Sequence, residues 1–299
     1  MIHPVRRKLM KKMLARSMSL SIALTMVFCG CAYLDDLEEN TFPADITVDE
    51  LSDNLETAAD PKGIFKKCHS YLIKQEMSTK GADGSSYTRM VEVKFKLPNS
   101  LRTTTFMNGK PVLAVISNGK QAWNVNCETD EITEIKGSSY QLIEVLSELG
   151  HPSSTMISVF PKIDLSEVIT SDDPVQRYYK ATCYSKYKDL PPIIFYIGKE
   201  NFLTKRLETT RFTTGGSYKY ISETDKYSMY DCVWIASESR VIVDDMVFKY
   251  KVIEYKMNID IPDSEFQLTT PWYLKNTEKV VKPTAVSAEQ QKAPAAECK

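Results

Sequence analysis

Residues 91–97 read Val91-Glu92-Val93-Lys94-Phe95-Lys96-Leu97, four apolar side chains alternating with three charged ones. Successive side chains of an extended chain point to opposite faces, so this is a strand with one face toward an interior and the other in water. Working outward, less strict versions of the pattern occupy Ser70–Ser78, Leu101–Met107, Val112–Ile116, Gln121–Asn126, Arg177–Tyr184, Ile193–Ile197, Leu203–Phe212, Tyr218–Ser222, Tyr227–Ala236 and Met246–Met257. Asn108-Gly109, Asn118-Gly119 and Gly215-Gly216 punctuate them as turns, and connections that short join antiparallel neighbours. The expected class is mainly β with some helix, built as an antiparallel meander.

In the last of these segments the apolar positions are even at Met246, Phe248, Tyr250 and Val252, then odd at Ile253, Tyr255 and Met257. A β-bulge near Val252 accounts for the switch, and a bent strand that keeps serving one side belongs to a strongly curved sheet. Helices are signalled in fewer places. Thr47 with Glu50 three residues later is a capping-box pattern, after which Leu51 and Leu55 share a face; Pro61 opens a second short helix ending near Cys68. Leu142, Val145, Leu146 and Leu149 form an i, i+3, i+4, i+7 stripe closed by Gly150 and Pro152, and an apolar cluster of Met156, Ile157, Val159 and Phe160 follows.

The N-terminus has a different character. Arg6, Arg7, Lys8, Lys11, Lys12 and Arg16 precede an uncharged run from Ser17 to Phe28, the order of a signal peptide, and that run falls well short of the roughly twenty residues a spanning helix needs. Phe28-Cys29-Gly30-Cys31-Ala32 resembles a bacterial lipobox, which makes Cys31 the candidate lipidation site; Gly30-Cys31-Ala32 also fits ordinary cleavage at a small-x-small site. Residues 1–31 are therefore expected as leader, the acidic 32–46 as a tether, 47–274 as a single β-domain and 275–299, without apolar period, as a disordered tail.

Net charge is −1 with both signs interspersed, so no nucleic-acid footprint is present. His3, His69 and His151 are the only histidines, and HExxH, GxSxG, P-loop and GxGxxG motifs are all missing. No catalytic or metal-binding constellation is legible, no cofactor is expected, and Asp172-Asp173 and Asp244-Asp245 read as solvated turn residues. Export permits disulfides, and four internal cysteines allow three pairings. Cys183 and Cys232, both in strand-like segments, are the first candidate pair; buried free thiols are the other reading.

The run from Ala114 through Ser117-Asn118-Gly119-Lys120 to Trp123 and Asn126 resembles the hairpin of LolA-type lipoprotein carriers, where a Ser-Asp-Gly-Lys-like turn precedes a strand beginning with Trp. Phe95-Lys96-Leu97-Pro98-Asn99-Ser100-Leu101-Arg102 is similar to that family's strand-Pro-Asn turn, and Ile261-Pro262-Asp263-Ser264-Glu265-Phe266-Gln267-Leu268 to its closing element. The likeness does not extend to the arginine that precedes this Pro in LolA and locks the lid; Leu97 stands there.

The resemblance to the LolA/LolB-like family implies a half-open β-barrel covered by a helical lid, with an apolar cavity for the acyl chains of lipoproteins or lipids. It makes Val93, Phe95, Trp123, Trp234, Phe248 and Tyr250 cavity-wall candidates, and Leu142, Leu146, Leu149, Met156, Ile157 and Phe160 lid candidates. The expected protein is a monomeric, non-enzymatic carrier of the periplasm, held by a lipid at the outer membrane. A single-domain envelope sensor of the same fold is the main rival, and an extracellular hydrolase the third reading.

Overall fold

Alternation like that of residues 91–97 runs through most of the chain. The computed structural model describes residues 39–268 apart from 82–83, 214–215 and 244–245; the leader, Cys31, the first part of the tether and the tail lie outside the described residues. In chain order the elements are β1 (Glu39–Pro43), α1 (Val48–Ala59), a 3-10 turn (Phe65–Lys67), β2 (Ser70–Lys80), β3 (Ser86–Lys96), β4 (Ser100–Met107), β5 (Lys110–Ser117), β6 (Ala122–Asn126) and β7 (Glu131–Ile135). There follow α2 (Gly137–Leu149), α3 (Met156–Val159), β8 (Lys162–Thr170), β9 (Asp173–Tyr184), β10 (Ile193–Gly198), β11 (Thr204–Thr213), β12 (Gly216–Tyr230), β13 (Val233–Val243), β14 (Met246–Met257) and a last 3-10 turn (Asp263–Phe266).

Among the described residues the strands form one 14-stranded sheet, in the order β1-β8-β9-β10-β11-β12-β13-β14-β2-β3-β4-β5-β6-β7. Its ends, β1 and β7, do not meet, so the sheet is curved but unclosed. Two meanders, β2 to β7 and β8 to β14, are linked in sequence by α2 and α3 and side by side by the β14–β2 pair, which runs from Phe248 opposite Thr79 to Met257 opposite Tyr71. The expected bulge is present, with register slipping between Val252 and Glu254. Ile253 is the extra residue and is 53% exposed, so it does not join the inward parity that Tyr255 and Met257 resume.

Pair registers carry one side-chain parity around the sheet. Tyr71 faces Phe95, Phe95 faces Leu101, Val93 faces Thr103 and Thr103 faces Val115; on the far side Cys183, Ala181 and Tyr179 face Ile193, Phe195 and Ile197. This face packs the helices and is the inner one. The outer face is crossed by the chain after β14. There Arg102, whose side chain is 4% exposed, pairs with Glu265, Lys96 reaches Asp263 at 2.6 Å, Phe266 is buried and Leu268 packs on Ala114, Ile116, Val125 and Trp123. The segment resembling a closing element is thus a strap tied across the outside of β3 and β4.

Three expectations change. The tether stretch 32–46 is folded from Glu39 on: β1 pairs with β8, Glu39 accepts from the Tyr196 hydroxyl at 2.6 Å and ion-pairs with Lys180, and Asp45 pairs with Lys199 at 2.7 Å. Strands β7 and β8 add to those read from sequence. The segment Tyr227–Ala236 is not one strand but the meeting of β12 and β13, which turn at Asp231-Cys232 with φ of +45° and +64°. A hairpin turn with both central residues in the left-handed region favours Asn-Gly or Asp-Gly; Asp231 fits the first place, but Cys232 stands where glycine would announce the turn. No helix among the described residues is long and apolar enough to cross a membrane.

Candidate functional site

The inner face is apolar because each helix lays a stripe on it. The Thr47–Glu50 capping box is made in full, with Thr47 Oγ1 accepting from the Glu50 backbone at 3.2 Å and Glu50 Oε2 from the Thr47 backbone at 2.8 Å. This starts α1 so that Leu51 becomes fully buried. Leu51, Val145, Met156, Val159 and Phe160 then meet Tyr179, Ala181, Cys183, Ile193, Phe195 and Ile197 in one cluster. A second joins Ile143 and Tyr140 of α2 to Tyr71, Val93, Phe95, Leu101, Val115, Ala122 and Ile135. Leu146 touches both clusters, so α2 is the bridge between the two meanders.

An aromatic row lies beneath the C-terminal end of α2. Tyr71 stacks on Phe95 with ring centroids 4.9 Å apart and planes at 12°, Tyr255 follows 6.5 Å from Tyr71, and Tyr230 is 5.8 Å from Tyr255. The Tyr71 hydroxyl donates to the Gly150 carbonyl at 3.3 Å; a Cβ at Gly150 would lie 2.9 Å from the Tyr71 hydroxyl oxygen, so any larger residue there would have to displace that hydroxyl. On the solvent side α2 is clasped by the β9–β10 loop. Lys186 bridges Glu144 and Glu148 at 2.8 Å each, and the Tyr187 hydroxyl donates to Glu144 at 2.6 Å. Burial raises the Glu144 carboxyl, but the bonds from Lys186 and Tyr187 outweigh it and hold it below the ordinary carboxylate range.

The structure divides the wall candidates. Val93 and Phe95 lie in the helix-covered cluster, and Phe248 and Tyr250 in a third inner cluster with Met77, Val91, Tyr220, Val241 and Val243. Trp123 is on the outer face, where it and Leu268 pack against Ala114, Ile116 and Val125. Trp234 is half-buried near the start of β13 and belongs to none of the inner clusters. Of the lid candidates, Leu146, Leu149, Met156 and Phe160 pack inward. Leu142 is half-buried and belongs to no cluster, its place being taken by fully buried Ile143, and Ile157 is 42% exposed. Tyr71, Tyr255, Phe195 and Ile143 are not among the wall or lid candidates, although the first three lie at the inward parity of strands read from sequence.

The candidate disulfide does not form. Cys183 is a buried free thiol on β9, and buried Cys68 and half-buried Cys127 are free as well, whereas Cys232 lies in the β12–β13 turn and is itself disulfide-bonded, though to none of these three. Strands β10 and β11 separate β9 from β12, about 14 Å of strand spacing against the roughly 7 Å Cα separation a disulfide tolerates. Burial pushes the thiols of Cys183 and Cys127 up to about 12, so both stay protonated and unreactive near neutrality. Among the described residues no group of three or more His, Cys, Asp or Glu is placed to hold a metal ion. The arrangement is an apolar inner face covered by short helices.

An unclosed antiparallel sheet with helices laid across its apolar inner face is the architecture of an open half-barrel. The fold is LolA-like: the chain is similar in structure to a LolA superfamily protein from Nitrosomonas europaea (TM-score 0.50, 11% identity, covering 74% of this chain and 98% of that one). The same holds for a DUF1329 family protein from Desulfovibrio piger (TM-score 0.50, 11% identity, covering 74% and 97%). A putative outer membrane lipoprotein-sorting protein domain from Vibrio parahaemolyticus gives a TM-score of 0.48 at 12% identity over 73% of this chain and 95% of that one. By sequence the chain matches no family model and no curated protein.

Proposed function

We propose that the protein shelters acyl chains of lipoproteins or lipids between its inner face and a lid formed by α2 and α3, as a non-enzymatic carrier of the cell envelope. The observation that carries this reading is the bridging of the apolar inner face by short helices within an unclosed, LolA-like sheet. Each buried methylene is worth about 0.8 kcal/mol, so a chain of a dozen carbons would repay parting helix from sheet without any charged contact. The clasp of Lys186 and Tyr187 on α2 would hold the lid shut where LolA uses an arginine before the Pro. In this reading Cys31 carries a diacylglyceryl anchor, Ala32 after it directs the protein to the outer membrane, and one monomeric domain does the binding.

Lipid extraction and mass spectrometry of the purified protein test the carrier reading, with co-purified acyl lipid as the expected result. A protein that yields none and takes up no fluorescent fatty acid would point instead to an interaction module. Membrane fractionation of Cys31→Ser tests the anchor: the variant should leave the membrane fraction, and unchanged retention would remove the lipidation claim.

A further inference from the structure

Across the sheet from the helix-covered clusters, the outer face of the second meander carries polar side chains set directly opposite one another. Register places Lys180 against Tyr196, Tyr196 against Arg206, Arg206 against Glu223 and Glu223 against Arg240, one line crossing β9 to β13. The line is an outer one, because its neighbours along the strands, Tyr179, Ala181, Phe195, Ile197, Leu207 and Val241, belong to inner clusters. Contacts follow the register. Arg206 donates through Nη1 to Glu223 at 2.9 Å and through Nε to Glu208 at 2.5 Å, and Arg240 donates through Nε to the other Glu223 oxygen at 2.5 Å.

The β8–β9 turn reaches this line from the side. Asp172 lies 3.8 Å from Arg206 although β10 separates β9 from β11, about 10 Å of strand spacing, so the turn leans over β10. Next to it Asp173 accepts from the Tyr178 hydroxyl at 2.6 Å. A cavity of about 170 Å³ is lined from both sides, by Thr170, Asp172 and Tyr178 and by Tyr196, Arg206 and Arg240 among others. At roughly 30 Å³ per water it has room for about six, close to the bulk of a single pyranose ring.

The charges of the lining cancel, with Asp172, Asp173 and Glu223 set against Lys205, Arg206 and Arg240. Their signs alternate along Asp172, Arg206, Glu223 and Arg240, at separations of 3.8, 2.9 and 2.5 Å. A ligand of net charge would meet its own sign beside every partner. A hydroxyl group, which both donates and accepts, can sit between guanidinium and carboxylate and satisfy the two. The hydrogen bonds of Arg206 among the described residues use Nε and Nη1, and those of Arg240 only Nε, which leaves further N–H groups of both for a ligand. Asp172, half-exposed, has its contact with Arg206 at 3.8 Å and two oxygens to accept with.

We propose that this cavity binds one pyranose ring of a neutral sugar, with Arg206 and Arg240 donating to its hydroxyls and Asp172 accepting from them. The site is separate from the acyl-binding face and does not depend on it. The test is a ligand-observed NMR titration of the full chain with D-glucose, D-galactose, D-mannose and N-acetyl-D-glucosamine, and with inorganic phosphate and glycine as anionic and zwitterionic probes. At least one sugar should bind with a Kd of about 1 mM, as suits so small a ligand, and roughly tenfold more tightly than phosphate or glycine. The linear trimer of that sugar distinguishes the sources: tighter binding than the monomer marks the end of a glycan, equal or weaker binding a free monosaccharide.

Asp172→Ala and Arg240→Gln, both at half-exposed side chains, should each weaken the sugar about three- to tenfold and shift melting by under about 2 °C. If phosphate or glycine binds as tightly as the best sugar, if no sugar binds at about 20 mM, or if neither variant lowers the affinity, the sugar site is overturned, while the acyl-binding reading of the other face stands. Should Arg240→Gln not fold, Asp172→Ala decides.

Discussion

Replacing Ile143 with alanine and, separately, Leu142 with alanine asks which face of α2 is held against the sheet. Ile143 is 0% exposed and is enclosed by Tyr71, Phe95, Val115, Ala122 and Ile135 from five different strands. Truncating an aliphatic side chain in such a place costs about 2–5 kcal/mol, the larger values where neighbours cannot collapse into the void. Strands tied into a continuous sheet collapse little, so about 3–4 kcal/mol is expected. For a domain of this size each kcal/mol lowers the melting temperature by about 2–4 °C, which gives a fall of roughly 6–16 °C. Leu142 is half-buried and packs in no cluster, so its truncation should cost less than about 1 kcal/mol and shift melting by under about 4 °C. Thermal unfolding followed by circular dichroism measures both. If Leu142→Ala proves as damaging as Ile143→Ala, or if the latter melts like wild type, the helix is held by a different stripe and the bridge described here is wrong.

Leu146→Glu, at the junction of the two helix-covered clusters, should give a folded protein with weakened uptake of a fluorescent fatty acid; normal uptake by the folded variant would contradict the lid assignment. The clasp on α2 should open in acid. Glu144 is held below its usual 4.5, so its contribution is complete above that value and is lost as pH falls through the lowered one, whereas Lys186 is held above the ordinary lysine range and contributes throughout the neutral region. Amide exchange in α2, corrected for intrinsic rates, should therefore speed up at pH 3 relative to pH 7. Lys186→Ala should reproduce the effect at pH 7 at a stability cost under about 1 kcal/mol, as expected of a half-exposed pair; exchange that responds to neither would discount the clasp. Glu265→Ala removes the strap carboxylate from the buried Arg102 guanidinium, which keeps Thr104 and the nearby Glu92 charge, and should cost about 1–3 kcal/mol, read as a lower denaturant midpoint; a wild-type midpoint would mean that the remaining strap contacts hold it without this pair.

Periodicity reveals strands well because a half-buried strand writes its two environments alternately along the chain, as Val91 to Leu97 does. It does not say which face is which. The family resemblance makes Trp123 and Trp234 cavity-wall candidates, yet this sheet is covered on both sides: the strap gives the outer face an apolar cluster of its own, and Trp123 belongs to it. Helix α2 was recognised but turned slightly, since a 100° step per residue lets Leu142 and Ile143 both look inward and only the packing partner separates them. The β12–β13 turn carried no glycine, so two strands read as one and Cys232 seemed to lie within it. The short β7 left few periods to detect, and β8 follows so closely on Met156–Phe160 that its own alternation was absorbed into that apolar run.

The pairing of β14 with β2 has a temporal side. Almost every other contact in the sheet joins strands adjacent in sequence, and such hairpins close over short loops as the chain is made. Residues 246–257 must instead find residues 70–80 across most of the domain, and until they do β2 presents eleven residues of open edge, long enough to template pairing with another chain. Two half-sheets would then be complete in secondary structure while the inner face still lacks its common wall. Of the described strands β14 is the last to be synthesised, and it joins two separate meanders along one inner face; a chain cut short before it would be left with an adhesive edge.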